Sequence, residues 1–291
     1  MGTKAWRSLR AAMLGLGALV CVGAGAHEFW MLPQAFSLPA GAAATLSLSV
    51  GENFKGDPIP FSRPLVAGLR HLADGSDTDL RALAPASGSA ANIRVSLARA
   101  GTHVIALDTH PSFIELPAKQ FHDYLRLEGL IGVLKAREAA GATAMPGRER
   151  YRRNVKTIVQ AGEQSDNTFQ RRTGQRLELV PLQDPAGLRV AQPLTLQVWF
   201  DNRPLTGALV KLWHGQGPEA ELVTAEGVSD SNGQVTLPLA REGAWMASVV
   251  HMVPATGCNC DWDSYWGNLT FAVPRAPTAQ PGNASLGAPR M

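Results

Sequence analysis

Polar and apolar residues alternate along much of the chain, and short runs of that period-two pattern predict most of its elements. Leu46, Leu48 and Val50 alternate with Ser47 and Ser49, which is the pattern of a half-buried strand over Thr45–Val50. The residues 51–58 read as a loop, and further strand-like runs cover Leu65–Leu72, Asn92–Leu97 and Thr102–Leu107. Turn-forming residues at 74–77 and a small-residue stretch at 86–91 separate them. After Pro117 the period changes. Phe121, Tyr124, Leu125, Leu130, Ile131 and Leu134 recur at near-helical spacing, and Gly129 and Gly132 mark a break, so a helix or helical pair is predicted to about Ala140. A linker at 141–147 leads into a predicted second helix over Arg148–Gln160. Tyr151, Val155, Ile158 and Val159 would form one side of it, and Arg148, Arg150, Arg152, Arg153 and Lys156 a solvated or anion-docking side. Strand patterns resume at 176–182, 194–200, 208–214, 234–239, 244–251 and 268–273, and from Pro274 the composition is that of a disordered tail.

This order of elements predicts a mainly β protein: two β-sandwich, immunoglobulin-like units with a short helical insert between them. The expected boundaries are a signal peptide at 1–26, an N-terminal sandwich at 27–117, the helical insert and linker at 118–175, a C-terminal immunoglobulin- or transthyretin-like sandwich at 176–273, and the tail at 274–291. The first 26 residues carry Lys4, Arg7 and Arg10, an apolar run from Ala11 to Val22, and the A-x-A sequence Ala24-Gly25-Ala26. That is the layout of a secretory leader cleaved between Ala26 and His27, which places the mature protein in the periplasm or outside the cell. No later stretch is long and apolar enough to span a bilayer. The chain of 291 residues has formal charge +3, and the leader holds three cations and no acid, so the mature protein is neutral by charge count. A neutral surface argues against nucleic acid as a partner.

Cleavage after Ala26 changes the chemistry of His27. Its nitrogen becomes a free α-amine beside its own imidazole, and the two form a chelating pair for a transition metal such as copper, nickel or cobalt. His251, at the end of an apolar strand, is the expected partner, although a core histidine bonded to a carbonyl fits the same pattern. The loop after it, Cys258-Asn259-Cys260-Asp261-Trp262-Asp263-Ser264-Tyr265-Trp266, concentrates thiols, carboxylates and aromatic rings. Asp261 and Asp263 are candidate ligands. Cys258 and Cys260 form a disulfide, a soft-metal clip or a pair of free thiols. His71 and His103 read as ordinary sheet residues. No H-E-x-x-H pair, nucleophile elbow or phosphate-binding glycine loop is present, and Glu115, Glu128, Glu149 and Glu163 fall at no spacing that makes a catalytic pair. The reading is therefore of a protein that is not an enzyme.

Several motifs together resemble an exported bacterial family catalogued as domain of unknown function 4198. They are His27-Glu28-Phe29-Trp30, Val50-Gly51-Glu52-Asn53-Phe54, Ile114-Glu115-Leu116-Pro117, Tyr124-Leu125-Arg126-Leu127-Glu128-Gly129-Leu130, Gly147-Arg148-Glu149-Arg150-Tyr151, Pro204-Leu205-Thr206-Gly207-Ala208-Leu209-Val210, Val250-His251-Met252 and the stretch from Asp261 to Phe271. They cover nearly the whole mature chain. The resemblance implies two β-rich units with a helical insert. Because some members are described as periplasmic components of nickel or cobalt uptake, it also implies a metal ligand set drawn from His27 and His251, with a membrane uptake system as partner. The stretch from about Leu194 to Met252 is similar to carboxypeptidase-regulatory and transthyretin-like modules. Three functions follow in order: a periplasmic protein that captures or delivers nickel, cobalt or copper; a metal-free interaction or scaffold module; and a copper-dependent oxidative enzyme with a histidine brace.

Overall fold

The structure is a computed structural model that describes residues 27–215 and 224–275. The leader with its cleavage residue Ala26, and all but the first two residues of the predicted tail, lie outside the described residues. The elements run β1 (Glu28–Pro33), β2 (Ser37–Leu38), β3 (Ala43–Glu52), β4 (Lys55–Ile59), β5 (Val66–Ala73), β6 (Ser76–Asp79), β7 (Asn92–Ser96), β8 (Gly101–Thr109), β9 (Ser112–Leu116), α1 (Ala118–Leu127) and α2 (Ile131–Ala139). They continue with β10 (Gly147–Ala161), β11 (Leu177–Pro181), β12 (Pro193–Phe200), β13 (Arg203–Pro204), β14 (Leu209–His214), β15 (Ala225–Val228), β16 (Gln234–Pro238), β17 (Gly243–Pro254) and β18 (Trp262–Val273). The protein is mainly β and of sandwich type. No described helix is long and apolar enough to cross a membrane.

One ten-stranded sheet ties the molecule together, in the order β15-β14-β17-β18-β10-β8-β5-β6, with β2 and β9 also pairing β10. A four-stranded sheet of β1, β3, β4 and β7 covers one face of it, and a second of β11, β12, β13 and β16 covers the other. Alternation on the central strands assigns the faces. Val155 and Val159 of β10, with Ile105 and Leu107 of β8, join the core under β1 and β3. Ile158 of β10, with Leu269 and Phe271 of β18 and Trp245 and Val249 of β17, joins the core under β11 and β12. On the first face, α1 and α2 cover β17 and β18: Phe121, Tyr124 and Leu125 pack with Val250, Met252 and Trp266. Gly129 ends α1 at φ 65°, a left-handed cap in which the Leu130 amide donates to the Leu125 carbonyl at 2.8 Å. Gly132 instead lies inside α2.

The predicted helix over Arg148–Gln160 is β10, a fifteen-residue strand in the middle of the central sheet. It pairs β18 in parallel from Glu149↔Trp262 to Thr157↔Thr270, and β8 and β9 on its other edge. The apolar spacing imitated a helix because both faces of the strand are covered, so burial does not alternate. Its basic residues are not a solvated helix face. Arg148 and Arg150 reach the aspartates of the loop and strand beyond β17, and Lys156 is buried. The β-branched run Val155, Thr157, Ile158 and Val159 is the local signal that favours the strand.

Candidate functional site

β1 is apolar on both sides. Phe29 and Met31 enter the core under β3, and Trp30 packs with Phe54, Trp213 and Met246 against the central sheet. The strand is therefore fixed from its first residues, and the ladder Glu28↔Gly51 sets His27 opposite Glu52. His27 Nε2 lies 3.3 Å from Glu52 Oε1, with the histidine side chain 29% and the carboxylate 58% exposed. The His27 carbonyl accepts a 2.6 Å hydrogen bond from Arg153 Nη1. That guanidinium stacks over Phe29, Tyr151 and Trp266, with 5.5, 5.4 and 5.2 Å to the ring centroids. The result is an open imidazole on an anchored backbone.

Beside it lies a buried ionisable cluster on the same face of the central sheet. Glu28 is 5% exposed, and its carboxyl is raised to about 7, first by burial and then by repulsion from Glu128, against the pull of Lys211 and Arg153. Glu128 is buried with Lys211, whose Nζ donates to Glu128 Oε1 at 2.9 Å. Burial raises the Glu128 carboxyl despite the lysine beside it. Glu149 accepts from the Ser264 hydroxyl, with the Tyr124 hydroxyl at 3.5 Å, and burial raises it too. Glu128 and Glu149 looked scattered in sequence. The end of α1 and strand β10 bring both close to Tyr124. Lys211, a lone cation in the apolar run Leu209-Val210-Lys211-Leu212-Trp213, was the local sign of a buried partner.

The other predicted site residues are elsewhere. His251 shares its side of β17 with Trp245, Ala247 and Val249, so its ring is on the face opposite β1. It packs edge-on against Phe200, 4.4 Å between centroids, and burial lowers its pKa while Asp201 pulls it back up. Asp261 accepts from Arg148 Nη2 at 2.8 Å and from the Arg148 amide at 3.0 Å. Asp263 accepts from Arg150 Nε at 2.6 Å and Nη2 at 2.7 Å, and from Arg152 Nη1 at 3.1 Å. These hydrogen bonds hold both carboxyls below the ordinary aspartate range. Cys258 and Cys260 are joined by a disulfide. The structure thus does not bring His27, His251, Asp261 and Asp263 together, because the central sheet lies between the first two. Among the described residues no three His, Cys, Asp or Glu side chains converge as a ready ligand set.

The arginine ties of Asp263 carry a stability prediction. Asp263→Asn removes the charge from a half-buried fork with two guanidinium partners, and the loss expected in chemical unfolding is about 1.5–3 kcal/mol. A change below about 0.5 kcal/mol would place these pairs with ordinary surface ion pairs.

The family described as Domain of unknown function (DUF4198) matches residues 24–253. The chain belongs to this family. No curated protein matches it. Among solved structures, this DUF4198 protein is similar to the D0-D1 domain of intimin at 12% identity and a TM-score of 0.19, over 83% of this chain and 96% of that one. It is also similar to the three N-terminal domains of the highly immunogenic outer capsid protein of bacteriophage RB49, at 13% identity and a TM-score of 0.15, over 84% of this chain and 59% of that one. Likenesses this low carry no argument about the DUF4198 fold, which rests on the sheets themselves.

Among the described residues of this DUF4198 protein, His27 and Glu52 have the groups and the spacing of a histidine with an outer carboxylate partner. A metal held by the α-amine and Nδ1 of a terminal histidine leaves Nε2–H pointing outward, and a carboxylate at Nε2 is the partner that fixes ring orientation and tautomer. Glu52 stands at that nitrogen. It was hidden in the sequence because residues 51–58 read as a loop, whereas Glu52 ends β3 and the β1–β3 register sets it against His27.

Proposed function

We propose that the protein is an exported transition-metal-binding protein that captures or delivers copper, nickel or cobalt through His27 once its leader is removed. Periplasmic location and a membrane metal-uptake system as partner are parts of the same proposal. The observation that carries it is the pairing of His27 with Glu52 immediately before the first residue of an anchored strand. Two nitrogen donors within one residue, oriented by a carboxylate, form the nitrogen-rich set that Cu(II) and Ni(II) prefer. His251 is left out of this site, because its ring lies on the opposite face of the sheet.

Titration of protein beginning at His27 with Cu(II), Ni(II), Co(II) and Zn(II) tests the proposal. One tight equivalent is expected, lost in His27→Ala and weakened about 10–100-fold in Glu52→Gln, the usual cost of an outer-sphere partner. Equal affinity in all three proteins would remove His27 from any metal site.

A further inference from the structure

Cys258 and Cys260 are the two cysteines after residue 26, and they are joined to each other across one residue. They sit in the loop between β17 and β18, which is held closed without them. The β17–β18 ladder runs to Pro254↔Trp262, and the Ala255 amide donates to the Asp261 carbonyl at 3.0 Å. β10 ties the loop from the side. The Asp261 amide donates to the Arg148 carbonyl at 2.8 Å, Arg148 Nη1 to Asn259 Oδ1 at 2.8 Å, and Arg150 Nη2 to the Thr256 carbonyl at 3.2 Å. A disulfide stabilises chiefly by closing a loop of the unfolded chain, and the effect shrinks with the loop. This one spans a single residue inside a hairpin that other bonds already close, so it contributes little to the fold. Both cysteines are half-buried, between the exposed Thr256, Gly257 and Asn259. Exposed disulfides are the readily exchanged ones, whereas structural disulfides resist the glutathione pool. A cleft of about 610 Å³ borders the loop. Pro254 and Asp261, at the two ends of the loop, line it together with Ala136, Met145, Pro146 and Trp262, so its walls are mostly apolar. The volume is within the roughly 300–1,000 Å³ usual for ligand clefts.

We propose that Cys258–Cys260 is a thiol–disulfide exchange site that oxidises paired cysteine thiols of an extended polypeptide seated in this cleft. One substrate thiolate attacks a sulfur of the pair. The S–S bond breaks, its electrons leave on the other cysteine as a thiolate, and a mixed disulfide forms. The second substrate thiolate then attacks the substrate sulfur of that mixed disulfide and releases the remaining cysteine. The substrate gains a disulfide and gives up two electrons and two protons, which Cys258 and Cys260 take up as thiols. No further oxidant enters the step. The apolar walls suit a chain with apolar side chains beside its cysteines better than a small polar thiol. The loop keeps its shape in both redox states, because the hydrogen bonds that close it involve neither sulfur. The site uses neither His27 nor a metal, so this proposal and the metal-binding one fail separately.

The test uses the full chain beginning at His27, in EDTA. The protein is equilibrated at pH 7 with about 10 mM reduced and about 0.1 mM oxidised glutathione, alkylated with iodoacetamide and weighed by mass spectrometry. At least about a tenth of it should be reduced, and less than about one part in a hundred, the behaviour of a structural disulfide, overturns the proposal. The oxidised protein is then mixed with a reduced peptide that carries two cysteines among apolar residues. Oxidation of the peptide should be at least about 30-fold faster than by the same concentration of oxidised glutathione, and an equal rate overturns the proposal. Met145 is 60% exposed in the cleft. Met145→Lys should slow the peptide at least about fivefold and leave the rate with dithiothreitol unchanged. A peptide rate unchanged in this variant overturns the cleft as the polypeptide's seat. The double variant Cys258→Ser/Cys260→Ser should lose the exchange while its unfolding midpoint stays within about 3 °C of the parent. A larger fall would make the bond structural and overturn the proposal.

Discussion

Lys156→Met is expected to lower the unfolding free energy by about 3 kcal/mol, because it takes the hydrogen-bonded cation from the buried Glu178 carboxylate and leaves it only the Arg172 guanidinium, whose Nε is 3.5 Å from Oε2. Lys156 lies mid-strand in β10 and is buried together with Glu178 of β11. Its Nζ donates to Glu178 Oε1 at 2.9 Å, and the same oxygen accepts from the Thr173 amide at 2.6 Å and the Thr173 hydroxyl at 2.8 Å. Burial pushes the carboxyl up, but attraction to Lys156 and the Thr173 bonds outweigh it, and the net shift is down. Burial lowers the lysine while Glu178 holds it up. The pair is therefore ionised, and methionine fills the space of the lysine stem without meeting the carboxylate. Chemical unfolding monitored by tryptophan fluorescence gives the number. The double variant Lys156→Met/Glu178→Leu should recover at least half of the loss, since removing both charges removes the desolvation cost as well. A single-variant loss below about 1 kcal/mol would mean that the pair is not ionised in the folded protein.

Glu28→Gln should change the pH dependence of stability more than any other single replacement in the site. The folded carboxyl is raised from 4.5 to about 7, so between those values the folded state holds a proton that the unfolded state has released. More protons on the folded state means that stability falls as pH rises through this window. Below about pH 4.5 the group is neutral in both states and costs nothing. Above about pH 7 the full cost is present, about 3 kcal/mol at 1.36 kcal/mol per unit. Glutamine keeps the shape without the charge. Wild type and variant should be equally stable near pH 4, and the variant more stable by about 3 kcal/mol near pH 8. Urea midpoints across that range decide it. A difference that stays constant with pH would show that Glu28 does not titrate there.

Short β-rich runs bounded by turn residues were legible as strands, both where burial alternates, as in β3, and where it does not, as in β8 and β17. Thr45–Val50 lies within β3, 102–107 within β8, 194–200 within β12 and 244–251 within β17. The helical pair after Pro117 was legible from its amphipathic spacing. β10 was not, since Tyr151, Val155, Ile158 and Val159 fall at helical offsets on a strand covered on both faces, and its parallel partner β18 lies more than a hundred residues away. The same non-local pairing hid the destination of Arg150 and Arg152, which is Asp263. His27 was legible as a chelating terminus, and its carboxylate partner was not. Glu52 becomes its neighbour only through the β1–β3 register. The side of the sheet that His251 faces depends on which layer covers which face, and no local pattern encodes that. His71 and His103 each look ordinary alone, and only the β5–β8 pairing brings His71 Nε2 within 2.8 Å of His103 Nδ1.

The central claim is that the freed α-amine of His27 is a ligand. Two forms of the protein beginning at His27 test it most directly: one with its α-amine free, the other acetylated at that nitrogen. Acetylation turns the His27 amine into an amide and leaves the ring, Glu52 and the fold in place. In copper titrations followed by electron paramagnetic resonance, the free-amine protein should bind one equivalent through amine and imidazole nitrogen. The acetylated protein should bind at least about 100-fold more weakly. Equal affinity and equal spectra for the two would contradict the account.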